Sequence, residues 1–101
     1  MQIQLWNDCK DGNIEEVRKL LQNEQVSINW QHYNDSTTPF YIACKNGHID
    51  IVKLLLNDKH ISIRKEDKDG KTAIDIAKKE NHSNIVELIK ELDTGMDYKT
   101  F

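Results

Sequence analysis

The sequence predicts an all-α solenoid of about three stacked helix–turn–helix units joined by long turn-bearing loops. Two observations carry most of that prediction. Gly12, Gly47 and Asn81 fall 35 and 34 residues apart, as do Val17, Val52 and Val86, a period within the range of stacked repeats. Inside the middle copy, Ile49, Val52, Leu55 and Leu56 recur at three- and four-residue steps, which places them along one face of a helix. Composition agrees: of 101 residues, 31% are charged and 38% hydrophobic, with four Gly and one Pro, a balance suited to one helical domain.

Aligned on those anchors, the copies read LWNDCKDGNIEEVRKLL from Leu5, FYIACKNGHIDIVKLLL from Phe40 and IDIAKKENHSNIVELIK from Ile74. Each is expected to be a helical hairpin. Gly12 and Gly47 supply the permissive backbone at the corner, and Asn81 substitutes because it tolerates left-handed conformations. Ile51 and Leu54 widen the apolar face of the middle second helix, as burial between two neighbours requires. In the connections NEQVSINWQHYNDS and NDKHISIRKEDKDG, the alternation Val26/Ile28 and Ile61/Ile63 predicts a short extended stretch before a turn, with Asp69-Gly70 the clearest turn signal. The repeat domain is assigned to residues 1–92, with units at approximately 3–31, 32–65 and 66–92. Residues 93–101, DTGMDYKTF, are set apart as a tail, left open between disorder and a cover over the last unit.

Read by column, the copies differ at the ends of the stack. Glu16 and Lys19 stand where later copies have Ile51/Leu54 and Ile85/Leu88, and Lys78, Ser83 and Lys90 replace Cys44, Ile49 and Leu56. Terminal units of a solenoid need such polar outer faces, so a complete, capped and monomeric array is expected.

The stretches DKDGKTAIDIA and TPFYIACKNGHIDIVKLLL resemble the ankyrin repeat, over roughly residues 3–92. That family pairs a β-turn with two antiparallel helices. The pattern departs from it where Thr-Pro-Leu-His becomes Thr38-Pro39-Phe40-Tyr41 and Thr72-Ala73-Ile74-Asp75, and where Ser36 takes a turn-glycine position.

Several chemistries find no support. A formal charge of −3 with interleaved signs gives no basic stripe for nucleic acid. The apolar runs are too short for a membrane span, and MQIQLWNDCK lacks the layout of a secretion signal, so a cytoplasmic address, with a nuclear one second, is expected. Cys9 and Cys44 share a column, one helix-packing distance of about 8–10 Å apart, which favours core filling over a disulfide. His48 and His82 share another as corner residues, without the partners a zinc site needs. His60 sits in a connection with no nucleophile or carboxylate pair spaced to it, and RKEDKDGK reads as a solvated loop. No phosphate loop, dinucleotide turn, zinc-protease helix or nucleophile elbow occurs. Neither catalysis nor a cofactor is expected.

The remaining expectation is recognition of another protein. Stacked repeats align turn tips and first-helix inner faces into an elongated concave surface. By resemblance, contact positions map onto His32, Asn34, Asp35, Thr37, Lys45 and Asn46 in the middle unit. In the last they map onto Glu66, Lys68, Asp69, Lys71, Lys79 and Glu80. Trp30 and Tyr33 add large amphipathic rings of the kind found at binding hot spots. Trp30, and Tyr41 at the family's His column, stay open between interface anchor and packing residue. The expected role is an adaptor or inhibitor; the alternative is an assembly module that self-associates or forms part of a larger complex.

Overall fold

The computed structural model describes the backbone of residues 2–99 and the side chains of residues 3–92. Among these, six helices form: α1 Gln2–Asp11, α2 Ile14–Leu21, α3 Pro39–Lys45, α4 Ile49–Leu56, α5 Ala73–Lys79 and α6 Ser83–Lys99. They pair as three hairpins, α1/α2, α3/α4 and α5/α6, and the hairpins stack in two layers. The inner layer packs α1 on α3 and α3 on α5; the outer layer packs α2 on α4 and α4 on α6.

Local chemistry sets where each helix starts and stops. Thr38 caps α3 by accepting the Tyr41 amide at 3.0 Å, and Pro39 supplies a preset φ in the first turn. At α5 the Asp75 carboxylate accepts both the Thr72 amide, at 3.0 Å, and the Thr72 hydroxyl, at 3.1 Å. The corners turn at Gly12 (φ 82°), Gly47 (φ 76°) and Asn81 (φ 63°), all in the left-handed region that the column was expected to require.

The core follows the repeat columns. Leu5 and Phe40, Cys9 and Cys44, Ile51 and Ile85, and the valines Val17, Val52 and Val86 are all buried. Both cysteines are free. Burial, with Asp8 adding a smaller effect, pushes the Cys9 thiol up to about 12, and burial first, then Cys9, pushes Cys44 higher still. Asp8 stands in the column of Ala43 and Ala77; it is buried because the Gln4 and Asn13 side-chain amides each donate to it at 3.0 Å.

The connections depart from expectation. The stretches around Val26/Ile28 and Ile61/Ile63 form turns, bends and irregular backbone, and no strand occurs among the described residues. Asn23 and Asp58, which share a column, accept the amides of Gln25 and His60 at 2.9 and 2.8 Å and close Asx turns there. The alternating apolar side chains pack on the core without a partner strand. Helix α6 also continues past residue 92 through much of the stretch set apart as a tail, while residues 100 and 101 lie outside the described residues.

At the first unit, Glu16 and Lys19 are exposed and paired with each other at 3.5 Å, whereas Ile51 and Ile85 in the column of Glu16 are fully buried and Leu54 and Leu88 in the column of Lys19 are half-buried. Replacing both by Ile and Leu is expected to leave an apolar strip that drives association. Sedimentation should show a concentration-dependent oligomer; a double variant that stays monomeric would mean this edge is covered.

Candidate functional site

The two turn tips lie side by side on the inner face. The first closes through His32 N–H to Thr37 O at 2.8 Å and Ser36 N–H to His32 O at 2.7 Å, with Ser36 at φ 63° in the place of a glycine. The second closes through Asp67 N–H to Lys71 O at 2.8 Å and Gly70 N–H to Asp67 O at 3.0 Å. The first turn is therefore the wider, and its columns explain why. Asp67 Oδ1 gathers the amides of Asp69 and Lys71 at 2.8 and 2.9 Å. In that column the first tip has Tyr33, whose ring is turned out to solvent, away from the tip amides. His32 Nδ1 takes the Asn34 amide at 3.1 Å instead, and Asp35 Oδ1 takes the Thr37 amide at 3.1 Å and hydroxyl at 2.7 Å.

Each tip is also propped from the preceding inner helix. Trp6 Nε1 donates to Thr37 Oγ1 at 3.1 Å, and the Tyr41 hydroxyl donates to Asp67 Oδ2 at 2.6 Å. Trp6, Tyr41 and Asp75 share one column; the first two reach forward to the next tip, and Asp75 instead caps its own helix. The tips then join: Lys68 N–H donates to Asp35 O at 2.9 Å, and Gln31 Nε2 donates to Ser36 O and Glu66 O, both at 3.0 Å. Behind them, His48 and His82 bridge successive units through Nε2 to Lys10 O at 2.9 Å and Lys45 O at 3.0 Å.

Burial sorts the residues expected at the contact surface. Tyr33, Asn34, Lys45, Asn46, Glu66, Lys68, Asp69, Lys71, Lys79 and Glu80 are exposed, and Trp30, His32 and Asp35 are half-buried. Thr37 and Tyr41 are only 4% and 6% exposed, and the bonds to Trp6, Asp35 and Asp67 engage their polar atoms, so they prop the tips while lining the groove between them. Trp30 packs partly on the core, edge-on to His32 at 5.6 Å. Tyr33 is the open ring, 81% exposed and stacked on His32 at 4.7 Å. Sequence reasoning missed Trp6, which lies 4.5 Å from His32, and Asp67. Their columns, shared with Tyr41 and Tyr33, held the available signal.

Between the second and third units the surface sinks into a groove of about 590 Å³, floored by Tyr41, Ile42 and Ile76 and walled by lysines and aspartates. Burial pushes the Asp35 and Asp67 carboxyls up, but hydrogen bonds from Thr37, and from Tyr41, Lys71 and Asp69, outweigh it and hold both below their ordinary values. The Thr72 amide does the same for Asp75 against a smaller opposing effect of burial. Depressed carboxyls add stability above the unfolded-state pKa and lose it as pH falls through the folded one. Stability should thus be level near neutrality and decline below about pH 4. Urea melts across pH should show a shallower acid decline for Asp67→Asn; an unchanged slope would exclude this carboxylate as a contributor.

Among the described residues, no cluster of three or more His, Cys, Asp or Glu side chains is placed to hold a metal ion, and no helix is long and apolar enough to cross a membrane. No curated protein sequence matches the chain significantly. The chain is similar to one in the structure of the Bd0816 predatory endopeptidase from Bdellovibrio bacteriovorus in complex with immunity protein Bd3460. That match has a TM-score of 0.79 and 26% identity over 86% of this chain, which spans 44% of the matched chain's length. The family model described as ankyrin repeats (3 copies) matches residues 5–100. With that match added to three hairpins stacked in register, the chain belongs to the ankyrin-repeat family, as an all-α repeat module.

Proposed function

We propose that the chain binds a partner protein across the concave surface formed by its turn tips and inner helices. The observation that carries this is the joining of the tips. Lys68 N–H to Asp35 O and the two hydrogen bonds donated by Gln31 lock neighbouring tips into one preformed surface, while the side chains beyond them stay exposed. Preorganisation of this kind lowers the ordering cost of association. The similar chain belongs to a complex of an endopeptidase with an immunity protein, which supports partner binding as adaptor or inhibitor.

Tyr33 is the aromatic anchor in this reading, because it is the ring left open; Trp30 and His32 back it. The contact set then comprises Tyr33, Asn34, Lys45, Asn46, Glu66, Lys68, Asp69, Lys71, Lys79 and Glu80, with half-buried Asp35 at its floor. The units are taken as residues 3–31, 32–65 and 66–92, α6 extending the last. Two free, buried thiols fit a reducing cytoplasmic or nuclear setting, and the unbound chain is taken as a monomer.

The test is affinity capture from the source cells. Proteins retained by the intact chain and by Lys53→Ala/Lys59→Ala, but lost with Tyr33→Ala/Asn34→Ala/Glu66→Ala, support the reading. Equal retention by both variants would overturn it. A self-associating chain that captures only itself would favour the assembly role.

A further inference from the structure

The groove between the second and third units contains five lysines and four aspartates, yet the two signs are not equally available. Asp67 spends both carboxylate oxygens inside the fold, on Tyr41 and on the amides of Asp69 and Lys71. Asp35 spends Oδ1 on Thr37, and Asp75 spends Oδ2 on Thr72. By contrast, Lys45, Lys68, Lys71, Lys78 and Lys79 are all exposed, and none makes an ion pair within 4.0 Å among the described residues. Exposed α2, outside the groove, shows the other arrangement: Arg18 pairs with Glu15 at 3.7 Å and Lys19 with Glu16 at 3.5 Å.

Helix polarity accounts for part of this pattern. Lys45, Lys78 and Lys79 occupy the last turns of α3 and α5, where a cation meets the negative end of the helix dipole. Lys68 stands on the tip and Lys71 just before the Thr72 cap, at the positive end of α5 where the dipole disfavours a cation, so that explanation does not reach them. The groove thus gathers five ammonium groups from three elements, α3, the second tip and α5, over an apolar floor; of its four aspartates, Asp67 is committed on both oxygens, Asp35 and Asp75 on one each, and Asp69 is exposed.

We propose that this groove holds an acidic segment of the partner protein, its Asp or Glu carboxylates paired with these lysines. The inference rests on the protein-binding reading above and adds the chemistry of what is bound. Discrete carboxylates can be spaced to avoid Asp35, Asp67, Asp69 and Asp75, and apolar neighbours can meet the floor. A continuous phosphate backbone cannot avoid those aspartates, and the chain's net charge of −3 opposes it further.

The experiment is fluorescence anisotropy on the full chain with three labelled peptides of equal length. Alternate Leu residues are shared, and the intervening positions carry Glu, Gln or Lys; a single-stranded DNA of matched charge is the fourth probe. The Glu peptide should bind most tightly and weaken as salt rises. Lys45→Gln/Lys68→Gln/Lys71→Gln should weaken it about tenfold, the scale of several exposed ion pairs lost together. Lys53→Gln/Lys59→Gln, away from the groove, should leave it unchanged, and circular dichroism should show all variants folded. A Glu peptide no tighter than the Gln peptide, an unaffected triple variant, or tighter binding of the DNA would each overturn the proposal. If that happens while Tyr33→Ala/Asn34→Ala/Glu66→Ala still loses its captured protein, the acidic segment is wrong and the protein-binding reading stands.

Discussion

Phe40→Ala is expected to lower the unfolding free energy by about 3–5 kcal/mol, the range for truncating a large, fully buried aromatic. Phe40 is 1% exposed on α3, the inner helix packed between α1 and α5, so a cavity there weakens both inter-unit interfaces at once. Stability in a repeat array comes largely from such neighbour contacts. Set against a total of about 5–15 kcal/mol for a domain, the loss is large. It should depress the melting temperature by more than about 10 °C. Ile74 shares the column but sits half-buried in the last unit, so Ile74→Ala should cost clearly less. Urea denaturation of the two variants decides the matter. A Phe40→Ala loss under about 1 kcal/mol, or one no larger than that of Ile74→Ala, would contradict the stacking order described here.

Gly47→Ala is the second large effect expected, about 2–3 kcal/mol from two sources that can be separated. The residue sits at φ 76°, a conformation costly for any side chain, and an added Cβ would lie 2.8 Å from His82 Cε1. The imidazole would have to move, forfeiting its Nε2 bond to Lys45 O at 3.0 Å. His82→Ala alone removes that bond, and in its background Gly47→Ala meets no ring, leaving only the backbone strain. The two substitutions should therefore be strongly non-additive, the double variant being more stable than the sum of the single losses predicts. Strict additivity would show that the ring does not lie over the glycine. Gly12 and His48 repeat the geometry at 2.8 Å and should give the same cycle.

What the sequence made legible was whatever recurs. Gly12, Gly47 and Asn81 announced the corners, and Glu16 and Lys19 in the columns of Ile51 and Leu54 announced an exposed edge, because column and burial are set by the same period. Features peculiar to one copy were hidden. Nothing local in Tyr41 says that its hydroxyl reaches Asp67, 26 residues on, or that Trp6 bonds Thr37; those pairings depend on how units stack. Tyr33 became readable as an open ring only once Asp67, its column partner, was seen holding the other turn. The alternation of Val26/Ile28 and Ile61/Ile63 was misleading for a physical reason: an irregular loop can lay its apolar side chains on the core without any partner strand.

The central claim, that recognition runs through the joined tips, is tested most directly by site-specific photocrosslinking of the chain bound to its captured partner. A benzophenone side chain replaces Tyr33 in one preparation and Lys53, exposed on α4 in the outer layer, in another. The account predicts a crosslink to the partner from position 33 and none from position 53. Crosslinks from position 53 with none from position 33 would contradict it.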